Sequence, residues 1–328
     1  MITATERLAG VGQEEDCCTA FGLRLSIDSR VSIPGLGETV GAPPAGPTTR
    51  VHIDEGELDQ RWAALTTAPQ RAREIRFGET LLLTVDVAAP VGYLLWARDF
   101  GRVLISPDGL ELLCEPDPEN EDWASIVAAQ ALPLAATIRG LEVLHASGVV
   151  LDGKAVLVTG RPGAGKSSLA AALIRSGGRL LSDDAVALQL SEGRLIAHAG
   201  SVALQLRDAE DERLSTEERA ALGRPASCSS GKHRYISSTV PDAVPLGSLF
   251  LLERSNEGPA VERLDAVDPF ELIASTFNLS VRTPERLQRQ LDVVSAIASS
   301  KLAHRLRVQP DVSASSLAMS IQAHLQKY

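Results

Sequence analysis

The stretch that constrains this chain most is Gly160-Arg161-Pro162-Gly163-Ala164-Gly165-Lys166-Ser167-Ser168. It satisfies the phosphate-loop pattern G-x-x-x-x-G-K-[ST] at every fixed position. Ahead of it, Ala155 to Thr159 is a short apolar run with β-branched residues, which predicts a buried strand. Behind it, Ser167 to Arg175 is rich in Ala and Leu and predicts a helix. A strand, a glycine-rich turn and a helix start aim several free backbone N–H groups at one point, together with the positive end of the helix. Phosphate oxygens fit that point. Gly160, Gly163, Ala164, Gly165, Ser167 and Ser168 would then line a nucleotide's phosphates. Lys166 would reach the outer ones, and the Ser167 hydroxyl would ligate Mg²⁺.

The rest of the composition narrows the class. At 328 residues and 44% hydrophobic content, the chain has room for about two domains with a sizeable core. A net charge of −10 argues against duplex nucleic acid as a partner. No run approaches the roughly 18 apolar residues of a membrane span, so no membrane association is expected. The polar, acidic N-terminus is unlike a secretory signal. Cysteines stand at Cys17, Cys18, Cys114 and Cys228, a spacing that fits no zinc pattern, and such sparse use suggests a cytoplasmic protein.

Residues 1–20 read as a disordered tail. Phe21 to Ile33 alternates as a strand does, Gly35 to Thr49 reads as a loop, and a helix is expected near Glu57–Leu65. Short strands follow, among them a hairpin around Pro107-Asp108-Gly109. Residues 21–120 are thus expected to form a β-rich accessory or recognition domain. His52, Asp54 and Glu55 read as a solvated strand end rather than a ligand set. Trp123 to Arg139 reads as a helix kinked at Pro133.

Leu141 to Leu151 predicts one strand, and Asp152-Gly153 a tight turn into the strand that feeds the loop. Shortly after the loop's helix comes Arg179-Leu180-Leu181-Ser182-Asp183-Asp184. Two acids at a strand end in this position suit phosphoryl transfer: one carboxylate for Mg²⁺, one to take a proton from an attacking hydroxyl. Adjacent acids resist simultaneous ionisation, which raises one pKa.

With these residues in place, the chain resembles the HPr kinase/phosphorylase catalytic domain and its peptide-phosphorylating relatives, such as lasso-peptide precursor kinases. The resemblance rests on His145 ahead of Gly148-Val149-Val150, on the loop GRPGAGKS, on LLSDDAVAL and on the spacing between them. It covers about residues 139–207. It implies an α/β fold: a P-loop kinase domain of the HPr kinase/phosphoenolpyruvate carboxykinase type over 121–328, behind the β-rich domain. It implies Asp183 as the base, Asp184 beside Ser167 on the metal side, and His145 near the phosphates; on residue grounds alone His145 would read as a core histidine. The chain departs from the family at Ser168, where an acid is usual, at Arg161-Pro162, and in its first domain. These departures put HPr itself, and the phosphorylase half-reaction, in question.

In the last third, Asp208 to Leu222 reads as an exposed helix and Gly223 to Gly231 as a mobile lid. The lid delivers Lys232-His233-Arg234, of which Lys232 and Arg234 are candidates for touching nucleotide or substrate. Asp268-Pro269 and Thr283-Pro284 predict helix starts. Arg282, Arg286 and Arg289 read as a solvated basic face. The expected function is an ATP- and Mg²⁺-dependent kinase acting on a hydroxyl, such as Ser, of a peptide, protein or small molecule. An ATP-binding regulator without transfer and an NTP hydrolase remain alternatives, and self-association stays open.

Overall fold

Short strands with apolar runs build the first sheet of the computed structural model, which describes residues 15–37, 39–40, 44–228, 231–237, 240–255, 260–277, 279–309 and 312–327. Its elements are β1 (Glu15–Ala20), β2 (Leu23–Asp28), β3 (Thr39–Val40), β4 (Thr49–Ile53), α1 (Glu57–Ala63), β5 (Gln70–Phe77), β6 (Thr80–Ala88), β7 (Gly92–Ala97), β8 (Gly101–Ile105) and β9 (Glu111–Pro116). All these strands except β3 form one eight-stranded sheet in the order β1-β2-β4-β9-β8-β7-β6-β5, which leaves β1 and β5 as its edges. One face packs Leu94, Leu104 and Leu113 under Leu58 and Trp62 of α1. Asp54 Oδ1 accepts from the Glu57 and Leu58 amides, so it caps α1, while His52 lies 3.2 Å from Glu111.

The other face packs Leu95, Ile105 and Leu112 against a helix that is π-helical over Val127–Ala131 and continues as α2 (Leu132–Ile138). Pro133 has no N–H and crowds the preceding turn. The widened turn just before it takes up that conflict. The apolar cluster on this face also contains Val143, Ala187, Phe277 and Val281, so it runs without a break across residue 120 into the second half of the chain.

The second half contains β10 (Glu142–Leu144), β11 (Ala146–Leu151), β12 (Lys154–Gly160), α3 (Lys166–Arg175), β13 (Arg179–Ser182), β14 (Val186–Ser191), β15 (Arg194–His198) and β16 (Ala203–Arg207). Next come α4 (Asp208–Asp211), α5 (Thr216–Leu222), β17 (Arg224–Ala226), β18 (Lys232–Ile236), β19 (Val240–Pro241), β20 (Ala243–Arg254) and β21 (Ala260–Arg263). The chain closes with α6 (Pro269–Ile273), α7 (Pro284–Ser299), β22 (Ala303–Val308) and α8 (Ala314–Leu325). A nine-stranded mixed sheet runs β10-β14-β15-β20-β12-β11-β13, with β22 on β20 and β21 on β22. Its central pair, β12 and β20, is parallel. Leu169 and Leu173 of α3, Val293 and Ile297 of α7, and Leu317 and Ile321 of α8 share its core.

Several expectations are corrected. The tail reading of 1–20 fails at its end, because Glu15 to Ala20 pairs antiparallel with β2; residues 1–14 lie outside the described residues. The loop over 35–49 contains β3, which pairs with β19. Leu141 to Leu151 is two strands broken at His145, one pairing with β14 and the other with β12 and β13. Asp208 to Leu222 is two short helices that bury Asp211 and Leu222. Of the expected lid, Arg224 to Ala226 is a strand paired with β18, and residues 229–230 lie outside the described residues. The solvated reading of Arg286 fails: it is 2% exposed and donates to Glu142 at 2.9 Å. The caps at Asp268 and Thr283 are present, each accepting a backbone N–H of its helix.

Candidate active site

The glycine-rich turn leaves β12 at Gly160 and enters α3 at Lys166. Gly163 (φ +76°) and Gly165 (φ +104°) hold left-handed conformations that a Cβ would strain, and Gly165 serves as N-cap. The first amides of α3 therefore point out of the helix without partners within it.

Lys166 folds back over this turn. It is 6% exposed, and its ammonium donates to Gly160 O (3.1 Å), to Arg161 O (3.4 Å) and to His145 Nε2 (3.1 Å). His145 Nδ1 then carries the proton, donated to Asp184 O at 2.9 Å. Burial, followed by the Lys166 charge, holds the imidazole below its ordinary pKa. Burial also lowers the Lys166 pKa, and the charges of Asp184 and Asp183 oppose that shift. The strand break at His145 is what frees the ring: its backbone N–H leaves the ladder for Ser275 O at 2.6 Å, and its ring lies 6.1 Å from that of Phe277.

Asp183 sits at the end of β13. Its Oδ1 accepts from Ser147 (2.6 Å) and Ser167 (3.1 Å), while Oδ2 has one long contact, 3.5 Å from the Gln205 amide. Burial, then the Asp184 charge, pushes its pKa up to about 6, against the pull of the two hydroxyls. Asp184 turns the chain with φ +65° and presents an exposed carboxylate. The left-handed turn suits Asp, whose short polar chain tolerates that region. The structure thus brings Gly160 to Ser168, His145, Asp183 and Asp184 together.

The two later cations are placed differently. Lys232 is exposed and reaches Gln205 Oε1 at 3.4 Å, on the strand that also touches Asp183. Arg234 is 3% exposed and held by both oxygens of Asp122 at 2.6 and 2.8 Å, with Ser227 O on the same side. Its guanidinium closes a buried pair, so a direct contact with nucleotide, expected from sequence, would require breaking that pair.

Sequence reasoning missed Ser147, whose apolar strand gave no signal, and Glu210, which accepts a hydrogen bond from Ser168. Among the described residues no cluster of three or more His, Cys, Asp or Glu is arranged to hold a metal. The Ser167 hydroxyl and the two carboxylates are nonetheless hard oxygen donors of the kind Mg²⁺ takes. Mg²⁺ needs only one or two carboxylates when phosphates and water complete its shell. No helix among the described residues is long and apolar enough to cross a membrane.

A mixed α/β architecture with a strand, a glycine turn and a helix at the centre of its larger sheet defines the class. No family model matches the chain. Over 61 residues it is 41% identical to the HPr kinase/phosphorylase of two Clostridium botulinum strains, 19% of this chain and 20% of each relative. The chain therefore spans about a fifth of the length of the curated relatives it matches. Among solved structures, the HPr(Ser) kinase/phosphatase from Coxiella burnetii aligns with 57% of this chain and 97% of that one, at 14% identity and a TM-score of 0.31. The sequence match supports an HPr kinase-like family for the chain.

Proposed function

We propose that the chain is an ATP- and Mg²⁺-dependent kinase that passes the γ-phosphoryl group to a hydroxyl, such as that of Ser, on a peptide, protein or small-molecule acceptor. The observation that carries this reading is the convergence of Lys166, His145, Ser167 and Asp183 at the mouth of the glycine turn. The amides of Gly163 to Ser168 cradle the phosphates. Lys166 exchanges its carbonyl partners for outer phosphate oxygens, while His145 Nε2 keeps it aimed.

Ser167 and Asp184 are the ligands for Mg²⁺, which neutralises charge on the phosphates when bound. Ser167 can offer a lone pair to the metal while its own O–H stays donated to Asp183 Oδ1. Asp183 is the base. Its Oδ1 is filled by two hydroxyls, so Oδ2 is the oxygen left to take the acceptor's proton as the new P–O bond forms. A pKa near 6 leaves it ionised at neutral pH yet basic enough for the task. Lys232, on the rim, is the cation proposed to meet nucleotide or acceptor.

The test is transfer of label from γ-labelled ATP into cell extract by the purified chain. The reading expects Mg²⁺-dependent label on a specific acceptor. ATP binding with no labelled product and no ATP turnover would leave a nucleotide-binding protein without transfer.

A further inference from the structure

Strand β5, an edge of the first sheet, carries three arginines. Arg71 is held by Asp86 (2.5 Å) and Glu74 (2.8 Å), and Arg76 by Glu74 (2.6 Å). Arg73 is different. Its Nη1 donates to Gln130 Oε1 at 3.1 Å, its guanidinium lies 5.8 Å from the Phe277 ring, and among the described residues no carboxylate pairs with it. Burial lowers its pKa with no acid opposing the shift. A half-buried guanidinium without an anion is costly to keep, and a bidentate oxyanion is the partner that its planar fork fits best.

Its position says which oxyanion. The Phe277 ring that Arg73 meets lies 6.1 Å from the ring of His145, and His145 in turn meets Lys166 at 3.1 Å. Arg73 is thus close enough to the site that its charge is among those holding the His145 pKa down. Two fixed groups hold it there: Gln130, presented by the π-helical turn, and Phe277, whose amide is tied to Val143 O at 2.8 Å. A π-helical turn is a common way to aim one side chain into a site. The chain's net charge of −10 would otherwise repel an anionic acceptor.

We propose that Arg73 binds an oxyanion carried by the acceptor, a carboxylate or phosphate near the reacting hydroxyl, and so makes the first sheet part of the active site. The proposal rests on the kinase reading. The experiment uses the full chain loaded with Mg-ADP. It is titrated by calorimetry with inorganic phosphate and with two Ser-containing peptides, one flanked by Asp and one by Lys. The wild-type chain is expected to bind phosphate, the Asp-flanked peptide, or both, in preference to the Lys-flanked one. Phosphate alone marks a small-molecule acceptor, and the Asp peptide alone a peptide acceptor. Arg73→Gln is expected to weaken anion binding at least about tenfold, the range of a charge-assisted pair. Arg73→Lys should restore part of it, Arg71→Gln should match wild type, and Mg-ADP affinity should stay unchanged in all three. Absence of binding by every anionic probe, preference for the Lys peptide, or an Arg73→Gln chain equal to wild type overturns the proposal. A wild-type chain that takes no Mg-ADP overturns the kinase reading itself, and this proposal with it.

Discussion

The ammonium of Lys166 stands 3.1 Å from Nε2 of His145, a residue at the break between β10 and β11 that precedes it by 21 positions. The loop lysine is thus met by a neutral imidazole rather than by a carboxylate. A carboxylate there would hold the charge too tightly to release it to phosphate, whereas an imidazole only orients it. Lys166→Ala should lower Mg-ATP affinity by about 1.5–3 kcal/mol, the worth of a hydrogen bond to a charged group. It should also raise the His145 pKa, because the Lys166 charge is one of the two main causes holding it down. Calorimetry reads the first effect and NMR titration of the imidazole the second. Unchanged affinity would remove the loop from nucleotide binding.

Asp183 gives the pH dependence. Its pKa is raised from the ordinary 3.8 to about 6, so the folded chain holds a proton more tightly than the unfolded one. The cost of its buried charge is present above pH 6 and is relieved as pH falls from about 6 toward 3.8. A base must be ionised, so transfer should fall as pH drops through about 6. Mg²⁺ should move that limb to lower pH by favouring the charged form. Ser147→Ala removes a donor to the carboxylate and should move the limb upward. A pH–rate profile of both chains checks this; a limb near the ordinary carboxylate value would contradict the burial of Asp183.

A buried polar network stands behind His145. Arg286 donates to Glu142 and Gln290, and Thr276 and Gln290 bond each other, while Thr276 also reaches Glu142 at 3.2 Å. The neighbouring Ser275 carbonyl holds the His145 amide. Arg286→Met should strand the Glu142 charge and cost about 3–5 kcal/mol. The double variant Glu142→Gln with Arg286→Met should recover much of that loss. Chemical denaturation of the two chains reads the difference, and equal stabilities would contradict the pairing.

His304 of β22 and His324 of α8 meet at 3.1 Å, with Phe250 stacked on His304. Burial, then the His324 and Arg263 charges, pushes the His304 pKa down to about 4. A depressed histidine contributes stability above the ordinary 6.5, and that stability is lost as pH falls from 6.5 toward 4. The loss should be on the order of 2 kcal/mol. Denaturation midpoints at pH 7.5 and 5 should differ in the wild type and differ less in His304→Leu.

Much of the site is legible in the sequence because its chemistry is local. The glycines, Lys166 and Ser167 lie within one turn, and Asp183-Asp184 ends the next strand, so motif and spacing suffice. What the sequence hides is carried by distant pairing. Ser147 looks like filler in an apolar run, yet its strand places it against Asp183, 36 positions on. Arg286 has the spacing of a solvated stripe, but Glu142 lies 144 positions away and pulls it inward. Arg234 reads as a free cation until Asp122 is set beside it. Residues 1–20 look too polar to order, and only the alignment of Cys17 with Ser26 and Cys18 with Leu25 in β1–β2 pairing shows otherwise at their end. The shared core across residue 120 is equally silent in composition, since Val127, Leu132 and Leu134 give a helix no clue to which sheet they bury against.

The central claim is that Asp183 takes the proton of an acceptor hydroxyl at a nucleotide site built by the glycine turn. The most direct measurement compares wild type and Asp183→Asn for label transfer from γ-labelled ATP, with Mg-ATP affinity measured on the same preparations. Asn keeps the size and cannot accept the proton, so transfer should fall by about 10²–10⁴ while affinity holds. Transfer at the wild-type rate by Asp183→Asn would contradict the claim.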